Sequence, residues 1–105
     1  MLLEAGAFKT ARAYIDGKWV DGGIKISDYR LSSYGEVSGD EGLAIPGFVD
    51  LQVNGHGGVD LLKAKDTEDI RKVSRSLFKS GVAAYLPTLI TGPIANTLRV
   101  LALIE

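Results

Sequence analysis

The sequence has no cysteine. Disulfides, thiolate metal sites and cysteine nucleophiles are excluded together, and the composition fits a reducing compartment. There is one histidine, and a single imidazole without partner ligands makes no metal site. No stretch approaches the roughly 20 apolar residues of a membrane span. The N-terminus carries Glu4 and no long apolar core, which argues against a signal peptide. Neither sign of charge dominates: twelve Lys and Arg face thirteen Asp and Glu. No basic stripe stands out, so the electrostatic footprint of a nucleic-acid binder is missing. The expected setting is the cytoplasm, with neither membrane nor nucleic acid as partner.

What is present suits a folded protein. At 46% hydrophobic and 24% charged residues, the 105-residue chain has the composition of a small globular domain. The most informative stretch is Ile45–Asp60, IPGFVDLQVNGHGGVD. After the Pro46-Gly47 punctuation, Phe48–Val53 has the length of a strand. Side chains alternate across a strand, so Val49, Leu51 and Val53 share one face while Asp50, Gln52 and Asn54 share the other. The second face becomes polar where a glycine loop begins, as in a parallel strand whose C-terminal tip feeds a site.

Upstream, residues 1–45 read as a meander of short strands. Ala11–Ile15 and Lys18–Val20 flank Asp16-Gly17, a two-residue hairpin signal. Asp21-Gly22-Gly23 turns again before Ile24–Ile26. Tyr29–Glu36 has no clear period, Val37–Gly42 reads as a polar turn, and Leu43–Ile45 as a last strand. Trp19 and the four tyrosines show no nucleic-acid stacking pattern and are expected as core or sandwich residues. Downstream, Asp66 and Thr67 are N-cap candidates, with Glu68 and Asp69 where a helix dipole favours negative charge. Ile70, Val73 and Leu77 recur at helical spacing, and Ser80-Gly81 supplies a C-terminal stop. Val82–Leu86 is a second strand, so strand, helix and strand make a βαβ unit with parallel strands. A second helix is expected with Thr91 as its cap and Pro93 in its first turn, and with Ile94, Leu98, Leu101 and Ala102 as its apolar stripe. Two parallel strands do not make a covered sheet. The expectation is therefore an N-terminal piece of a larger protein; a complete small α+β protein is the alternative.

PGFVDLQVNGHGGVD and Ser80–Thr91, SGVAAYLPTLIT, resemble the N-acetylglucosamine-6-phosphate deacetylase family of the amidohydrolase superfamily. IDGKWVDGG sits where that family has a small β-sandwich. The resemblance implies an α/β architecture: a β-sandwich segment over 1–45, then, over 46–105, the first two βα units of an incomplete (β/α)8, or TIM-type, barrel. It implies hydrolysis of N-acetylglucosamine 6-phosphate to glucosamine 6-phosphate and acetate in amino-sugar catabolism, by a homodimer. A divalent metal, often zinc, would activate water there, with a downstream aspartate moving the proton. Many amidohydrolases carry His-x-His at the end of the first barrel strand. Those positions are Gln52 and Asn54 here, which matches the branch with a single metal. The family's metal ligands, catalytic aspartate and phosphate-binding residues have no counterpart in these 105 residues.

The candidate residues each have a plainer reading. Gln52 and Asn54 line the site or are polar residues near a strand end. Carboxamides are poor zinc ligands, so hydrogen bonding to water or substrate is the role expected of them. His56 is expected in a mobile loop at the barrel mouth, lining the site without holding metal, with Gly55, Gly57 and Gly58 serving the backbone. The glycine run lacks the spacing of a phosphate loop. Asp50 suits a structural role, Thr88 either faces the site or serves a turn, and Asp66, Glu68 and Asp69 suit a helix start. The chain alone is expected to be inactive. The other readings are a non-catalytic truncated relative that serves only in assembly, and an amidohydrolase acting on a different amide.

Overall fold

The structure is a computed structural model that describes residues 5–36 and 38–105. The readings of the first four residues and of Val37 lie outside the described residues. The fold is mixed α/β, with its strands in small sheets. Two compact units divide the chain, Met1–Pro46 and Gly47–Glu105.

In the first unit the strands are β1 (Ala5–Phe8), β2 (Thr10–Ile15), β3 (Lys18–Asp21), β4 (Ile24–Ser27), β5 (Arg30–Tyr34) and β6 (Ser38–Ala44). They form two three-stranded sheets, ordered β1-β4-β5 and β3-β2-β6. The β2–β3 hairpin turns at Asp16-Gly17, both with positive φ (47° and 80°), as that dipeptide leads one to expect. The β4–β5 hairpin turns the same way at Asp28 and Tyr29 (φ 51° and 59°). Neither residue is glycine, which is why Tyr29–Glu36 looks featureless in the sequence.

The expected polar turn over Val37–Gly42 is corrected: from Ser38 onward this segment is strand. β6 runs parallel to β2, with Arg12 opposite Leu43 and Ala13 opposite Ala44. Ser38 lies opposite Thr10, and a register shift between Thr10 and Arg12 takes up the residues between Ser38 and Leu43. Of the aromatics expected in the core or the sandwich, Tyr85 packs against a core, while those of the first unit are exposed. Trp19 is 42% exposed and lies across the sheet surface, edge-on to its cross-strand neighbour Tyr14 at 5.2 Å. The Arg12 guanidinium sits 5.0 Å above the Trp19 ring. Tyr29 and Tyr34 are likewise exposed. A thin unit of short strands has too little interior for such side chains, and Ala13 is its buried apolar side chain among the described residues. In this unit Lys25 Nζ donates to Glu36 Oε2 at 2.7 Å. That bond, then a second from Ser33, holds the Glu36 carboxyl below its usual pKa.

The second unit contains β7 (Phe48–Val53), β8 (Gly55–His56), β9 (Val59–Asp60), a 3-10 turn at Leu61–Lys63, α1 (Thr67–Lys79), β10 (Val82–Pro87) and α2 (Ile94–Ile104). β7 and β10 pair in parallel, with α1 as the connection between them. α1 starts where its cap residue stands: Asp66 accepts from the Asp69 N–H at 3.0 Å, and Asp69 reaches back to the Lys65 N–H at 2.9 Å. Asp66→Ala is expected to lower stability by about 1 kcal/mol, read as a shifted urea midpoint; no shift would refute the cap. Gly81 closes α1 with φ 85°. Val53, Leu61, Val73 and Leu77 form the core, with Val59, Ile70, Val82, Tyr85 and Leu89 against it. The Tyr85 hydroxyl meets Ser74 Oγ at 2.9 Å.

Two details differ from the sequence reading. Thr91 does not cap α2: the helix begins after Pro93, with no side-chain cap. Of the β7 face formed by Val49, Leu51 and Val53, only Val53 is buried, while Val49 and Leu51 are 61% and 71% exposed. The core formed with α1 and the 3-10 turn reaches only the C-terminal end of the strand. The α2 stripe of Ile94, Leu98 and Leu101 is also exposed, whereas Val100 is buried. Among the described residues no helix is long and apolar enough to cross a membrane.

Candidate functional site at the end of the first parallel strand

Parallel strands bring their C-terminal ends to the same edge of a sheet. Here the ends of β7 and β10 are stitched together. The Thr88 N–H donates to the Val53 carbonyl at 2.8 Å. Asn54 Nδ2 donates to the Thr88 carbonyl at 2.9 Å, across 34 residues of sequence. Asn54 is therefore held in place by the second strand. Because a carbonyl oxygen can only accept, the amide must present its nitrogen to Thr88, which leaves Oδ1 as the free acceptor. Gln52 precedes it on the same side of the strand. Its backbone N–H donates to Asp50 Oδ1 at 3.0 Å, and its side chain is exposed.

Beyond Asn54 the chain makes an excursion and returns. The Leu61 N–H donates to the Asn54 carbonyl at 2.9 Å, closing the loop. Within it, β8 and β9 form a tight antiparallel hairpin, with Gly55 opposite Asp60 and His56 opposite Val59. The glycine segment expected to be a loose loop is thus a paired hairpin, because Gly57 and Gly58 both take the positive φ (60° and 81°) of a tight turn. His56 faces helix α1, and its Nδ1 lies 2.9 Å from Ser76 Oγ. Asp60 ends the hairpin and caps the 3-10 turn: Oδ1 accepts from the Leu62 N–H at 3.0 Å, and Oδ2 is 3.4 Å from Lys63 Nζ.

Asn54, His56, Val59, Asp60 and Ile90 line an open depression of about 510 Å³. Two of the three candidate residues, Asn54 and His56, meet there, and Gln52 does not line it. Asp60 and Ile90 were missed in the sequence. Asp60 had a local signal, an acidic residue directly before an apolar turn; Ile90 had none, since only the pairing of β10 with β7 brings it near. Among the described residues no three His, Cys, Asp or Glu side chains gather as metal ligands would. One imidazole and one carboxylate at the depression do not by themselves make the ligand set of a metal centre. The lining residues can donate and accept hydrogen bonds with a polar ligand, and they can shape a wall.

Comparison with known proteins gives a consistent answer. No family model matches the chain. A curated N-acetylglucosamine-6-phosphate deacetylase from Mus musculus is 38% identical over 85 residues, covering 71% of this chain and 20% of the relative. That of Homo sapiens is 35% identical over the same length and coverage. That of Haemophilus influenzae is 42% identical over 50 residues, 48% of this chain and 13% of the relative. The chain thus spans about a fifth of the length of the first two relatives.

Proposed function

We infer that the chain belongs with the N-acetylglucosamine-6-phosphate deacetylases, as a part of the N-terminal portion of such a protein. We take β7 and β10 as the first two strands of a barrel whose remaining units lie in the rest of that protein, and the first unit as part of its β-sandwich. The observation that carries this reading is the parallel β7–β10 pair, bridged by α1, with two carboxamides at the C-terminal end of β7. Active sites of (β/α)8 enzymes sit at that end of the strands. The exposed Val49, Leu51 and α2 stripe also suit a sheet and helix that further units would cover.

In this reading the whole protein hydrolyses the acetamide of N-acetylglucosamine 6-phosphate, acting in the cytoplasm as a homodimer. A divalent metal, zinc for preference, would be held by residues outside these 105. The chain's own contribution is binding and orientation. Asn54, anchored through Nδ2 to Thr88, offers Oδ1 to a hydroxyl, an amide or water. Gln52 offers a second carboxamide from the same strand. His56 forms part of the rim.

The test is an acetate-release assay on the full product of the gene, with zinc and N-acetylglucosamine 6-phosphate. Turnover is expected. In that protein Asn54→Ala is expected to lower kcat/KM by roughly tenfold to a hundredfold, because a loosened strand end misplaces the substrate. The purified 105-residue chain is expected to release no acetate. A full product that fails with zinc and other divalent ions would remove the enzymatic reading and leave a non-catalytic assembly piece. Activity on a different amide alone would keep the superfamily and change the substrate.

A further inference from the structure

We propose that Arg99, on α2, is a positioning residue for the wall of the depression at the end of β7. The wall is the excursion that leaves the sheet at Asn54 and ends at Ala64. Two ties hold its near side, the Leu61 N–H on the Asn54 carbonyl and His56 on Ser76. Its far side ends in a 3-10 turn, and a helical turn leaves carbonyls without partners at its C-terminus. Arg99 supplies them. Nη1 donates to the Ala64 carbonyl, 35 residues earlier in the chain, and Nη2 to the Leu62 carbonyl at 3.4 Å. A guanidinium is a rigid fork that can meet two acceptors at once, which an ammonium does less well. Packing reinforces the contact. Leu61 and Ala64 are fully buried, and a side chain at Gly92, just before α2, would come within 2.7 Å of Leu62.

The consequence is a coupling of elements. α1 holds the hairpin through Ser76, and α2 holds the 3-10 turn through Arg99. The excursion is therefore a fixed wall pinned by both helices, not a lid. What that wall does for a sugar phosphate rests on the proposed function; that Arg99 pins it does not.

Backbone amide exchange, followed by NMR on the 105-residue chain, tests the assignment. Arg99→Met keeps the aliphatic stem and removes the donors; Arg99→Lys keeps a charge and one donor point. In Arg99→Met, exchange of the Leu61, Leu62 and Ala64 amides is expected to rise on the order of tenfold, as for loss of charge-assisted hydrogen bonds. The Val73 and Leu77 amides of α1 should keep the parent rate. Arg99→Lys should recover part of the protection. Unchanged exchange in Arg99→Met would assign the effect to the stem and overturn the proposal. So would an equal rise in α1, or an Arg99→Lys variant no better protected than Arg99→Met. None of these outcomes depends on whether the whole protein is a deacetylase.

Discussion

Leu61→Ala should unfold the second unit at room temperature, or leave it close to its midpoint. Leu61 is fully buried and belongs to the four-residue core with Val53, Val73 and Leu77. Removing a buried leucine side chain costs about 2–5 kcal/mol, through lost transfer energy and the cavity left behind. A unit of about sixty residues has a total stability of roughly 3–9 kcal/mol on the usual per-residue scale. The substitution therefore takes a large share of what holds the unit together. Leu61 also joins two parts of the structure: it packs against α1, and its N–H closes the excursion on Asn54. Far-ultraviolet circular dichroism during urea titration would read the loss of α1. Leu61→Met, which nearly conserves volume, should cost less than about 1.5 kcal/mol. A Leu61→Ala variant melting within 1 kcal/mol of the parent would show that the residue is not part of a cooperative core.

Gly55→Ala should cost more than Gly58→Ala, although both sit in the same hairpin. At Gly55 the obstacle is space. An added Cβ would press against the carbonyl oxygen of Val59, well inside van der Waals contact, and that atom is backbone that no rotamer change can move. The Gly55–Asp60 and His56–Val59 pairings would have to open. At Gly58 nothing lies within 4 Å, and the difficulty is only its φ of 81°. A left-handed alanine costs about 1–2 kcal/mol, whereas overpacking costs about 1–3 kcal/mol before any hydrogen bond is lost. Loss of pairing should release His56 from Ser76 and move its ring resonances, while Gly58→Ala leaves them in place. Equal urea midpoints for the two variants, with unmoved His56 resonances, would mean that the hairpin is not closed as described.

Much of the second unit is legible from local chemistry. Asp66 as cap, Ile70, Val73 and Leu77 as the inner stripe of α1, Gly81 as its stop, and two parallel strands all follow from spacing and from residues within a turn of each other. The Asp16-Gly17 turn is legible for the same reason. The Asp28-Tyr29 turn is not, because its dihedral angles are imposed by the β4–β5 pairing on residues that do not advertise them. β6 is hidden in the same way: Gly39, Asp40, Glu41 and Gly42 look like a loop, and only the pairing of Ser38, Leu43 and Ala44 with β2 on either side makes the segment part of a strand. At the site, Gln52 and Asn54 stand out as polar positions at a strand end, and His56 as the chain's one imidazole. Where His56 leads is a different matter, since Ser76 lies 20 residues away and on a helix.

The sequence by itself determined the boundaries of α1, the parallel relation of β7 and β10, and the likeness to the deacetylases. These rest on interactions spanning a few residues, or on a motif that is read directly. Only the tertiary structure decided that Asn54 is bound to Thr88, that His56 turns to Ser76, that Arg99 reaches back to Ala64 and Leu62, and that Val49 and Leu51 stay uncovered while Val53 is buried. Each of these depends on which distant segment arrives at a given place. Periodicity assigns a residue to a face, but burial requires that another element reach that face, and α1 with the 3-10 turn reaches only the end of β7 where the candidate site stands.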